Sequence, residues 1–149
     1  MAIHAQDVSL QDVGLAVKRL QWRHHREANA RLLAELGLSL PQWDVLRNLH
    51  RRPRASLHEL AQLTFQTDQS MGSLASRMID RGFLERVTGR GRPIRHAVTP
   101  AGERARLAGS EIMDGVFAES LGTLSPAERT TLYRLLTAAV NAPVGREPG

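Results

Sequence analysis

The sequence contains no cysteine in 149 residues. That excludes disulfides, thiolate nucleophiles and cysteine-ligated metal centres together. Aromatic residues are scarce, with two tryptophans, three phenylalanines and one tyrosine. Lys18 is the only lysine, so arginine carries nearly all the positive charge. No apolar run approaches the roughly 18 residues of a membrane span. The opening MAIHAQDVSL lacks the basic-then-apolar layout of a signal peptide, and a soluble cytoplasmic protein is the simplest expectation. Catalytic signatures are missing as well: there is no nucleophile elbow, phosphate loop, HExxH or carboxylate pair, which points away from an enzyme. The histidines show no HxxxH spacing. His24 and His25 are adjacent, and on a helix they diverge by about 100°. Neither a metal site nor a cofactor is expected.

What is present is apolar content for a core, 42%, and a net charge of +5. The charge is concentrated. Between Arg77 and Arg106 eight arginines face only Asp80, Glu85 and Glu103, so this one segment holds the surplus of the whole chain. Such a cluster suits a polyanion, and a solvated charged surface is the plainer alternative.

Hydrophobic spacing divides the chain. From Asp7 to Leu36 there is no proline, and Leu10, Val13, Val17, Leu20, Ala28, Leu32 and Leu36 recur at helical intervals up to a cap at Gly37. A second helix begins near Pro41, carries Trp43, Leu46 and Leu49, and ends before Pro53. SLHELAQL is a short third helix, capped by Ser56 with Glu59 three residues on. Thr67 caps a fourth, with Met71, Leu74, Ala75 and Met78 facing inward and Gly82 closing it. The period then changes. FLERV and RHAVT read as two strands joined by TGRGRPI, a β-hairpin with arginines at its tip. A fifth helix starts at Thr99-Pro100 and runs to Leu124. A sixth follows the SPAE capping box and reaches about Asn141, before a frayed tail at 142–149. The expected fold is mainly α with a small β-hairpin wing: one domain over 1–149, whose winged helix-turn-helix lobe spans 39–98.

LGLSLPQWDVLRNL, LHELAQL, SMGSLASRMIDRGFLERV and VTPAGERARL, in this order, resemble the multiple antibiotic resistance regulator (MarR) family from about residue 10 to 140. The resemblance implies a homodimer built by helices from both ends of the chain, here 7–37 and 99–141. It implies a DNA-binding transcriptional regulator, a repressor in the commonest form, on a palindromic operator of double-stranded DNA. For many relatives it also implies a small anionic or phenolic effector. A second reading is a small-molecule sensor or protein-interaction module whose winged lobe no longer binds DNA.

Two sets of residues would contact DNA. Thr67, Asp68, Gln69, Ser70, Ser73 and Arg77 lie on the fourth helix, where Gln and Arg can bond base edges in the major groove. Arg86, Arg90, Gly91, Arg92 and Arg95 lie on the wing. RGRP at 90–93 resembles an AT-hook core, in which Gly lets the backbone approach a narrow minor groove and the arginines seek its negative potential. The family resemblance also implies an effector crevice where the first two helices meet the lobe. Its candidates are Trp22, His25, Arg26, Asn29, Trp43 and Arg47. An aromatic beside an arginine suits a planar carboxylate, although Trp43 is most simply a core residue.

Overall fold

The computed structural model describes residues 7–91 and 93–145. Every α-helix in this region starts behind a serine or threonine. The hydroxyls of Ser9, Ser39, Ser56, Thr67, Thr99 and Ser125 each accept from the backbone N–H three residues on, satisfying a donor that the first turn leaves unpaired. Ser9, Ser39 and Ser125 form reciprocal capping boxes with Asp12, Gln42 and Glu128. These caps set the elements: α1 Leu10–Leu36, α2 Leu40–Arg51, α3 Leu57–Leu63, α4 Asp68–Asp80, β1 Leu84–Val87, β2 Arg95–Val98, α5 Pro100–Ala118 and α6 Pro126–Val140.

The order is the one expected from sequence, with two differences at the ends. α1 begins at Leu10 and not at Asp7, because Ser9 and Asp12 cap each other there. α5 stops at Ala118 instead of reaching Leu124. Beyond it the chain makes a 3-10 turn at Leu121–Thr123, with Ser120 bonded to His24 Nε2 at 2.6 Å and Thr123 Oγ1 donating to the Ser120 carbonyl. Since Ser125 already caps α6, the chain must turn in this interval. Arg31 of α1 pairs with Glu119 at 2.5 Å and ties the same corner to α1. Among the described residues no helix is long and apolar enough to cross a membrane.

α3, its turn and α4 form the helix-turn-helix, and β1 pairs antiparallel with β2 as the wing. The lobe has its own core of Leu38, Val45, Leu46, Leu49, Leu60, Met71, Ala75, Met78 and Leu84, with smaller side chains between them. A second cluster joins α1, α2 and α5 through Ala28, Leu32, Trp43, Met113 and Val116. Trp43 is therefore core. Its indole N–H donates to the Arg106 carbonyl at 3.1 Å. α5 comes this close only because position 109 is glycine: a Cβ there would lie 2.2 Å from Trp43 Cδ1. The helix-propensity loss at Gly109 is thus set against a packing gain that no other residue permits.

Two stretches are left largely uncovered. α6 has no buried residue. The α1 stripe is buried only at Ala28 and Leu32, while Leu10, Val13 and Val17 are exposed.

Candidate nucleic-acid interface and adjoining crevice

The buried stripe of α4 is Met71, Ala75 and Met78. Helical geometry therefore turns Thr67, Asp68, Gln69, Ser70, Ser73 and Arg77 outward, and all six are exposed. They are not equally free. Thr67 caps the helix and donates to Ser70 Oγ at 2.9 Å. Asp68 is held by His58 Nδ1 at 2.9 Å, which sets a histidine beside a carboxylate that would otherwise repel phosphate. Among the described residues Gln69, Ser73 and Arg77 make no side-chain hydrogen bond or ion pair, so their donors are available to a ligand.

The arginine cluster divides in the same way. The Arg81 guanidinium donates to the Gly37 carbonyl and lies 4.9 Å from the Phe83 ring, joining the end of α4 to the end of α1. Arg106 is clamped by Glu103. Both serve the fold. Arg77, Arg86 and Arg90 are exposed and Arg95 is half-buried. Arg92 lies outside the described residues. Gly91 sits at the wing tip with φ +70, a left-handed backbone that glycine adopts without steric cost.

The register pairs Arg86 with His96 and Val87 with Arg95. Neighbouring positions on a strand point to opposite faces, so Arg86 and Arg95 project from opposite sides of the hairpin. Arg86 shares its face with His96, a buried residue whose Nδ1 has no hydrogen-bond partner among the described residues. Burial pushes the His96 pKa below the ordinary 6.5, and the Arg86 charge lowers it further. The folded state thus resists protonation more than the unfolded chain does. As pH falls below about 6.5 the unfolded state binds the extra proton, so stability is full above that value and is lost below it. His24 shifts in the same direction, chiefly by burial. The thermal midpoint is expected to fall between pH 7 and pH 5, and to fall less in His96→Gln. A midpoint slope that His96→Gln leaves unchanged would remove His96 as its source.

The crevice candidates divide too. Asn29 Oδ1 accepts from Leu40 N at 2.9 Å and fixes the start of α2 against α1. Trp22 is exposed and stacks on His25, ring centroids 5.7 Å apart. Arg26 is exposed. Arg47 lies over the Trp43 ring, 5.1 Å from its centroid, and pairs with Asp44 at 3.0 Å. The Arg47 Nε is buried without a partner among the described residues. Asp44 belongs to this cluster although sequence reasoning passed over it. Burial pushes its carboxyl up, while Arg47 and then His25 pull it down. The Asp44–Arg47 spacing of three residues was the available signal. Thus Asn29, Asp44, Trp43 and Arg47 gather at the α1–α2 junction, with His25 close enough for its charge to be felt at Asp44.

The sequence profile of the MarR family matches residues 36–92, from the end of α1 to the wing. No curated protein matches the sequence. Among solved structures, the chain is similar to Rv2887, a MarR family protein of Mycobacterium tuberculosis crystallised in complex with DNA. The TM-score is 0.73 and the identity 25%, over 91% of this chain and 100% of the other. The same protein in complex with p-aminosalicylic acid gives a TM-score of 0.74 at 25% identity, over 90% and 100% of the two chains. A probable transcriptional regulator from Pseudomonas aeruginosa gives 0.70 at 25% identity, over 88% and 99%.

Proposed function

From the premise that this chain belongs to the MarR family, we propose that it is a homodimeric transcriptional repressor that binds an inverted-repeat operator and is released by a small aromatic acid. The observation that carries this reading is the free polar face of α4, Gln69, Ser73 and Arg77, set beside exposed wing arginines on a lobe with its own core. α4 supplies base readout in the major groove. Arg90 and Arg92 reach the flanking minor groove, while Arg86 and Arg95 contact phosphate. In a two-fold dimer the half-sites lie about one helical turn, roughly 10 bp, apart.

The dimer is supported by the apolar side chains that one chain leaves uncovered. Leu10 is 92% exposed, Tyr133 74% and Val140 81%, and no residue of α6 is buried. Exposed apolar surface on this scale marks an interface. The basic reading is tested by titrating random-sequence duplex at low salt, where arginine–phosphate contacts dominate affinity. Absence of any salt-dependent binding would leave the winged lobe as a sensor or interaction module.

The effector site is the α1–α2 junction. The unpaired Arg47 donor beside the Trp43 face suits a planar carboxylate, and Rv2887 has been crystallised with salicylic acid and p-aminosalicylic acid. The ligand acts only if it binds the DNA-competent and DNA-incompetent states with different affinity. Salicylate is expected to raise the melting temperature and weaken duplex binding, and Arg47→Ala to abolish both effects. A melting temperature unmoved by millimolar salicylate would count against this site.

A further inference from the structure

The turn between α3 and α4 contains a residue that the fold does not explain. Phe65 has φ 57, the only positive φ among the described non-glycine residues. A bulky side chain is disfavoured in this left-handed region, which glycine and asparagine tolerate. The backbone around it is held by its own bonds: Phe65 N–H donates to the Gln62 carbonyl at 3.4 Å and Gln66 N–H to the Ala61 carbonyl at 2.8 Å. Thr64 Oγ1 donates to the Leu60 carbonyl at 2.7 Å. The turn is therefore specified without the phenyl ring. The ring itself is 94% exposed and belongs to neither core cluster. Folding thus keeps a strained backbone and a solvated aromatic where a glycine would serve better. Such an outlier points outward from the fold, to a ligand.

Its place says which ligand. Phe65 stands two residues before Thr67, the N-cap of α4. In a helix-turn-helix the N-terminal residues of the second helix lie against the base edges. Of the surrounding exposed residues, Asp68, Gln69 and Ser70 can read donors and acceptors but not a methyl group, and Thr67 is held in place as the helix cap. The major groove displays one apolar feature, the C5-methyl of thymine, and phenylalanine is among the side chains that contact it. Resting on the DNA-binding reading above, we infer that Phe65 is a base-reading residue that packs on a thymine methyl at the edge of each half-site.

The test uses the full-length protein and a duplex selected by it from a randomised library. Phe65→Asn is expected to keep or raise the thermal midpoint, since asparagine tolerates the left-handed backbone. It is expected to lose roughly tenfold in affinity for the selected duplex. Replacing the contacted thymines by uracil removes only the methyl groups. It should weaken wild-type binding by about fourfold per methyl and leave Phe65→Asn unaffected. Phe65→Leu, which keeps an apolar contact, should fall between. A lowered midpoint in Phe65→Asn would assign the ring to the fold, and undiminished affinity would assign it to a protein partner; either result overturns the proposal. So would a uracil effect of equal size in both proteins. If the wild type selects no duplex at all, the DNA-binding reading itself fails, which is a separate outcome.

Discussion

Leu136→Asp/Val140→Asp is expected to abolish the dimer and, with it, tight binding to duplex DNA. Within one chain these side chains are 39% and 81% exposed, and none of the α6 side chains is buried. A polar substitution there should therefore cost an isolated chain little. If α6 instead packs on a second copy, each apolar side chain removed from the interface forfeits about 2 kcal/mol, and two-fold symmetry makes four of them. The sum, roughly 8 kcal/mol, corresponds to about a millionfold rise in the dissociation constant. New carboxylates buried without partners add to this. Sedimentation and circular dichroism should show loss of the dimer, and the remaining helical signal should depend on concentration in the wild type but not in the variant. A variant that sediments as a stable dimer at micromolar concentration would place the interface elsewhere.

Arg77→Ala carries the second large effect. Arg77 is exposed in the last turn of α4 and has no ion pair among the described residues, so its removal leaves no buried charge behind. A bidentate arginine–guanine contact is worth about 1–3 kcal/mol, and a dimer holds two copies, so specific affinity should fall by about 30-fold to roughly 20,000-fold. Arg77→Lys separates base reading from charge. It keeps the positive charge but not the planar fork, so it should retain non-specific binding and the salt slope while losing preference for the selected site. If alanine and lysine variants bind the selected duplex equally well, and as well as wild type, Arg77 reads no base.

The free residues of this interface are fewer than the basic and polar residues the segment contains, and the reason is physical. Composition marks a basic segment but not the partner of each arginine. Arg81 and Arg106 are withdrawn from the segment by the Gly37 carbonyl and by Glu103, one of them 44 residues away in the chain. Trp43 has the residue type of a ligand platform, yet its indole N–H is spent on the Arg106 carbonyl and its five-membered ring is packed against Gly109, which makes it a core residue first. His96 is a wing residue by position and a buried one by packing. Phe65 is an apolar residue in a polar turn, and only its backbone angle and exposure make it conspicuous.

By itself the sequence determined what local chemistry can decide. Hydroxyl caps, prolines at first turns and the change of period after Gly82 set the order of six helices and a hairpin. The 3.6-residue spacing picked out Leu46, Met71, Ala75 and Met78 as inward-facing, and all four are buried. These are interactions among residues three or four apart, and they are written in the sequence as patterns. The tertiary structure decided which faces are covered. The apolar stripe of α1 runs unbroken in the sequence from Leu10 to Leu36, but α5 and α2 cover only its second half, leaving Leu10, Val13 and Val17 in solvent. The reverse holds on the wing, where strand pairing sends Arg86 and Arg95 to opposite faces although both stand at the loop end of the hairpin. Burial depends on contacts between residues far apart in the chain, and periodicity carries no record of what lies on the other side.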